Sequence, residues 1–224
     1  MSIGQRILVI APHPDDEVLG VGGTIARLAD EGAGVTVAIL TRGYPPRYGE
    51  EELRVLRAQA EKAHALLHVK ETLYLDFPAA ALDTVEHRVL NEAFGDIYKK
   101  VLPEYMFIPF AGDIHLDHQA AFHSALVACR PNGGHVPKAV FAYETLSETN
   151  WNAPFVTPGF IPNTFFDISS FLERKLEAFA CYASQVRRFP NERSPETLRA
   201  LAMLRGSTVS LPAAEAFIAI RQVL

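Results

Sequence analysis

The stretch Arg6-Ile7-Leu8-Val9-Ile10-Ala11-Pro12-His13-Pro14-Asp15-Asp16-Glu17 decides how the chain is read. Arg6–Ala11 is a short, continuous apolar run stopped by a proline, the pattern of a strand buried on both faces. From Glu17 to Glu31 the pattern turns helical: Leu19, Ile25, Leu28 and Ala29 fall near a 3.6-residue period, and Gly32 and Gly34 end the run. Val35–Leu40 is again β-branched and apolar, a second buried strand. Outward from there the alternation continues. Glu50–Leu67 reads as a helix, Thr72–Leu75 as a strand, Thr84–Val101 as a helix and Tyr105–Pro109 as a strand. Strands alternating with helices over short connections predict an α/β fold, Rossmann-like, with a mostly parallel sheet covered by helices on both faces. The last third is less regular. Ala139–Tyr143 reads as one more strand, Thr149–Asn163 as a loop, and Ser169–Ala183 and Pro195–Arg205 as helices. No repeat, low-complexity segment or linker composition divides residues 1–224, so a single domain is expected.

Composition narrows the class. Of 224 residues, 49% are apolar and 21% charged, ordinary for a soluble globular domain and wrong for a disordered, collagen-like or coiled-coil chain. No apolar run approaches the roughly 20 residues of a membrane span, and the first dozen residues lack the form of a signal peptide. A net charge of −5 argues against a nucleic-acid surface. Two cysteines, Cys129 and Cys181, make no disulfide framework and fit a reducing cytoplasm. The composition leaves a homo-oligomer open.

Two clusters carry the chemistry. In open α/β sheets, ligands bind beyond the carboxyl ends of the strands, and Pro12-His13-Pro14-Asp15-Asp16-Glu17 follows the first strand directly. The prolines keep the backbone extended there. One imidazole and three carboxylates within five residues are electrostatically costly unless a cation neutralises them, and His plus Asp is an ordinary zinc ligand pair. Favourable charge at a helix N-terminus accounts for Asp15, Asp16 and Glu17. It does not account for His13 between two prolines. The second cluster, Asp113-Ile114-His115-Leu116-Asp117-His118, follows the strand Tyr105–Pro109 and should open on the same sheet edge. His115 and His118 are three apart and share a face at a helix start. A ligand from this loop would complete the three-ligand, one-water arrangement of a catalytic zinc site. Iron or cobalt suits the same ligand set.

These strings, together with Gly20-Val21-Gly22-Gly23, Leu40-Thr41-Arg42-Gly43, Tyr143-Glu144, Asp167-Ile168 and Ala214-Glu215-Ala216-Phe217, resemble the PIG-L/LmbE family. That family consists of zinc-dependent de-N-acetylases of N-acetylglucosamine-type substrates with a Rossmann-like fold. The resemblance implies His13, Asp16 and His118 as zinc ligands, Asp15 as general base and a protonated His115 as electrostatic stabiliser. Asp117 would orient an imidazole through a hydrogen bond. The expected partner is a small N-acetyl sugar. A metal-dependent amidase acting on a non-sugar amide, or a non-catalytic metal-containing sugar-binding domain, are the competing readings. Tyr44 stands where many members have Glu, and His68 where Gly commonly closes the long helix.

Other features are weighed against plainer explanations. The glycines at 20, 22 and 23 lie inside a helix pattern, after an acidic cluster that would repel phosphates, so they are read as close helix–sheet packing rather than a nucleotide loop. Arg42, on the loop after the second strand, is a candidate substrate contact; Arg47, Arg54 and Arg57 are weighed with it as a grip on an anionic group. His64, His68, His87, His123 and His135 lack a local carboxylate partner and read as ordinary surface or core histidines. Tyr143, Trp151 and Phe155 are candidates for a sugar-stacking rim, and Arg187, Arg188 and Arg193 for a loop near the site. No G-x-S-x-G string occurs.

Overall fold

A computed structural model describes residues 4–132, 134–153 and 155–223. Strand β1 (Arg6–Ala11) is buried along almost its whole length, as its unbroken apolar run requires. It is followed by helix α1 (Asp16–Asp30), β2 (Gly34–Arg42), α2 (Glu50–Leu66), β3 (Glu71–Pro78), α3 (His87–Val101), β4 (Tyr105–Pro109), α4 (Leu116–Ala128), β5 (Ala139–Tyr143), β6 (Thr164–Asp167), α5 (Leu172–Cys181), α6 (Pro195–Ser207) and β7 (Ala214–Gln222). All the described strands join one sheet in the order β3-β2-β1-β4-β5-β7-β6. β1 to β5 pair in parallel, and β7 runs antiparallel to both β5 and β6. The predicted mostly parallel α/β sheet is therefore present. Helices α1, α2, α5 and α6 bury Val21, Ala63, Phe179 and Leu198 against one face. Helices α3 and α4 bury Phe94 and Ala121 against the other.

The departures from the sequence reading are local. The helix expected from Thr84 starts at His87, after a short 3-10 turn at Leu82–Thr84. Strands β6 and β7 were not expected. The glycines of α1 pack as read: a Cβ at Gly20 would lie 2.2 Å from the Tyr143 ring, and one at Gly23 would lie 2.8 Å from Ile168. Tyr143 is thereby removed from any sugar rim, because its fully buried ring lies under α1 and its hydroxyl donates to the Ile10 carbonyl.

The middle of α1 holds an unusual insertion. In a regular helix the Gly23 and Thr24 N–H groups would bond to the carbonyls four residues earlier. Here they donate to the two carboxylate oxygens of Glu215 on β7, at 2.9 and 2.7 Å. The Leu19 carbonyl accepts instead from Lys175 Nζ of α5 at 2.8 Å, and Lys175 closes the loop on Glu215 at 2.6 Å. Both charged side chains are buried. A buried ion pair thus serves two N–H groups and one carbonyl in the middle of α1.

The sheet order also places the site. From β1 the chain builds outward to β2 and β3 on one side, and β4 starts on the other side. The loops after β1 and β4 therefore diverge around a crevice at the carboxyl edge, the switch point where ligands of such sheets bind.

Candidate metal centre and active site

The β1 loop brings His13, Asp15 and Asp16 to that crevice, and the β4 loop with the first turn of α4 brings Asp113, His115, Asp117 and His118. Thr41 ties the β2 end to this edge, its backbone N–H and hydroxyl both donating to the Pro12 carbonyl. His13, Asp16 and His118 converge so that one ligand atom from each lies within 4.8 Å of the others. The His13 and His118 ring centroids are 5.5 Å apart. His13 Nδ1 is 3.2 Å from Asp16 Oδ2 and His118 Nε2 is 3.1 Å from the same oxygen. The latter contact is too poorly aligned for a hydrogen bond. His118 Nε2 and Asp16 Oδ1 are buried polar atoms without hydrogen-bond partners, and such orphans call for a ligand.

The outward nitrogens of the two rings explain why the inward ones are available. His13 Nε2 lies 3.0 Å from Asp117 Oδ2, and His118 Nδ1 lies 2.8 Å from Asp113 Oδ2. Each carboxylate is itself fixed. Asp117 accepts the Ala80 and Leu82 N–H groups at 2.7 and 2.9 Å, and Asp113 accepts the Thr149 hydroxyl at 2.5 Å. A ring that donates its far N–H to a carboxylate presents a lone pair on the near nitrogen, the usual carboxylate–histidine–metal arrangement. The donor set therefore fits a divalent cation. His13, His115 and Asp117 form a second convergent group that shares His13.

The charge balance of the side chains themselves agrees. Burial works to discharge His13, but its hydrogen bonds to Asp117 and Asp16 push it up to about 9. Burial works the same way on His118, and Asp16 and Asp113 overcome it, taking the ring up to about 10. Burial alone would raise Asp16; the His118 charge 3.1 Å away, followed by the His13 hydrogen bond and charge, holds it well below the usual carboxylate range. Two imidazole protons supply the positive charge that a divalent cation would bring.

Asp15 sits beside this group without joining it. It precedes α1 in the left-handed region, at φ 115°, a conformation that costs a non-glycine residue about 1–3 kcal/mol and that gathers at functional sites. Burial pushes its carboxyl up to about 8, against the pull of Arg193. Arg193 Nη1 donates to Asp15 Oδ2 at 2.9 Å and Nε to Ser147 Oγ at 2.8 Å. The sequence reading placed Arg193 near the site but missed its pairing with Asp15; no local pattern marks a contact across 178 positions. Asp113, quoted in the second cluster, had been given no role. Glu17, counted with the acidic cluster, turns away from the metal group into the interior, where His64 reaches it at 3.1 Å. His64 thus has a carboxylate partner after all, supplied by a different element.

His115 differs from expectation in charge. Its Nδ1 accepts the Asp117 backbone N–H at 3.1 Å, which leaves no proton on that nitrogen. Burial and the nearby His13 charge hold its pKa down to about 4. The ring is a neutral helix cap with its hydrogen on Nε2, rather than an imidazolium.

A cleft of about 680 Å³ opens from His13, Asp15 and His115 toward α2, and its lining includes Arg42, Arg47, Tyr48, Tyr74, Asp76 and Arg193. Arg42 lines it while paired with Glu50 at 3.1 Å. Trp151 and Phe155 are exposed and lie outside the cleft lining; Tyr48 and Tyr74 are the aromatics found there.

The sequence profile of the family described as PIG-L, GlcNAc-PI de-N-acetylase, matches residues 8–129, more than half of the chain and all seven His and Asp residues of the two clusters just described. The chain belongs to the PIG-L family. This PIG-L chain is 30% identical over 212 residues to the diacetylchitobiose deacetylase of Thermococcus kodakarensis, covering 84% of the chain and 72% of that protein. It is 32% identical over 151 residues to the uncharacterized deacetylase YaiS of Escherichia coli K12, covering 64% of the chain and 75% of that protein. The fold superposes on the N,N'-diacetylchitobiose deacetylase of Pyrococcus horikoshii, solved with an inhibitor, with a TM-score of 0.76 at 26% identity, over 96% of this chain and 84% of that one. The PIG-L chain is accordingly an enzyme of the deacetylase type, a hydrolase of N-acetyl amides. Among the described residues, no helix is long and apolar enough to cross a membrane.

Proposed function

We propose that the chain removes acetyl from an N-acetylated amino sugar of the N-acetylglucosamine type as a zinc-dependent hydrolase, with residues 1–224 acting as one domain. One observation supports this reading most: His13, Asp16 and His118 converge with two rings oriented by carboxylates, while Asp15 stands beside them as a carboxylate left over. A structural zinc site closes on four protein ligands, often sulfur; both cysteines are free and neither belongs to the group. The relatives named for diacetylchitobiose point to the sugar. Unpaired thiols suit a cytoplasmic setting.

When bound, zinc would bring a water's pKa to about 7 and polarise the amide carbonyl. His13, Asp16 and His118 would hold it. Asp117 and Asp113 fix the two imidazoles in the tautomers that ligation needs. Asp15 takes the proton of the attacking water at its cleft-facing carboxylate. Arg193 favours the charged form of that carboxylate against the burial that raises it, and aims it between turnovers. His115 donates Nε2–H from a neutral ring to the oxygen of the acetyl carbonyl as charge develops there, a helix N-terminus having fixed its tautomer. Since His115 has no second proton to give, Asp15 returns the proton to the departing amine. Arg42, at the cleft wall, meets the group carried by the sugar.

The test is acetate release from a panel of N-acetylglucosamine conjugates, with zinc and with a chelator. Release confined to non-sugar amides would replace the reading by an amidase. Metal retained without turnover on any conjugate would replace it by a binding domain.

A further inference from the structure

Behind Asp15, on the side away from the cleft, the fold buries a carboxylate that the proposed chemistry leaves unused. Glu17 is wholly inaccessible. Its Oε2 accepts the Asp15 backbone N–H at 3.1 Å. Its Oε1 accepts His64 Nε2 at 3.1 Å and the Tyr182 hydroxyl at 2.5 Å. With Nε2–H given to Glu17, His64 Nδ1 accepts from the Thr72 hydroxyl at 2.7 Å. One side chain therefore ties the first turn of α1 to α2, to β3 and to the end of α5.

The bond to Asp15 N–H matters because of the backbone around it. At φ 115° the Asp15 peptide has turned its N–H inward. Without an acceptor, that N–H would be a buried unpaired donor, and the left-handed conformation, which side chains disfavour, would be left to the Val18 and Leu19 N–H groups on the Asp15 carbonyl and to Arg193 on its carboxylate. Relaxation would swing the Asp15 carboxylate off Arg193 and away from the metal group. Tyr182 and Arg193 bracket a single stretch of chain, its start holding Glu17 and its end holding Asp15.

We propose that Glu17 is a positioning residue that holds Asp15 in its strained, cleft-facing conformation, with His64 and Tyr182 locking Glu17 in place. The proposal rests on the reading of Asp15 as the base. It is tested on the full, metal-loaded chain with an N-acetylglucosamine conjugate, comparing Asp15→Asn, Glu17→Gln, Tyr182→Phe and the double variant Asp15→Asn/Glu17→Gln. The expected result is a fall in kcat of about tenfold or more for Glu17→Gln, with KM and bound metal within about twofold of the parent, and no further loss in the double variant beyond Asp15→Asn alone. Tyr182→Phe removes one hydroxyl and should show the same split at smaller size; it decides the matter if Glu17→Gln fails to fold. Parental kcat in a folded Glu17→Gln overturns the proposal, as does parental kcat in Tyr182→Phe if Glu17→Gln fails to fold, or a loss that multiplies in the double variant. Parental turnover in Asp15→Asn would instead reject the base itself, and the positioning role with it.

Discussion

Asp15 and His13 are neighbours in sequence with opposite expected phenotypes. Asp15→Asn removes a proton acceptor but no ligand, so bound metal should stay at the parental level while turnover falls by about 10²–10⁴-fold. His13→Ala should lose both. Metal analysis and rate measurement on the purified variants check this pair. Asp113→Ala and Asp117→Ala should each weaken metal affinity by about 10–100-fold with the three ligands intact, because each frees one ring to rotate; competition against a chelator reads the change. These roles were legible where residues are close in the chain, since His13, Asp15 and Asp16 announce themselves as a cluster. The pairings of Arg193 with Asp15 and of His64 with Glu17 were not, because each partner looks like an ordinary surface or core residue until the fold brings them together.

At the scale of elements, α1 and α3 make opposite predictions for one substitution. Glycine inside a helix costs roughly 1 kcal/mol against alanine, so Gly95→Ala in α3, where a Cβ would meet nothing within 4 Å, should stabilise by about that amount. Gly20→Ala in α1 should destabilise by about 1–3 kcal/mol, since the same methyl would overlap the Tyr143 ring. Thermal unfolding should move the two variants in opposite directions, by a few degrees each at about 2–4 °C per kcal/mol. The elements legible in the sequence were those with a clean pattern: β1 to β5 as short apolar runs and α1, α2, α5 and α6 as helical periods, while α3 starts three residues later than read. β6 and β7 escaped because one is a four-residue strand after an irregular loop and the other runs antiparallel with an exposed C-terminal end.

For the molecule as a whole, the site sets how stability responds to pH. His13 and His118 ionise near 6.5 when unfolded and at about 9 and 10 when folded. Their contribution is complete below pH 6.5 and is lost as pH rises through those values. Asp15 ionises near 3.8 unfolded and at about 8 folded, so the cost of burying it grows from pH 4 toward 8. All three act in one direction. The metal-free protein should lose thermal stability steadily between about pH 6.5 and 9. Metal uptake near pH 7 should release about two protons, because ligation needs both rings deprotonated. Calorimetry in buffers of different ionisation enthalpy counts them; release of none would contradict the ring charges assigned above.

The Glu215–Lys175 insertion bears on how the protein comes into being. Every residue proposed to touch the metal lies in the first 118 positions, yet the helix that begins at Asp16 borrows part of its backbone pairing from a carboxylate on β7. A chain emerging from the ribosome carries all its ligands long before it can complete the scaffold that aims them. Cation capture by a native site should therefore wait until that closing strand has cleared the exit tunnel.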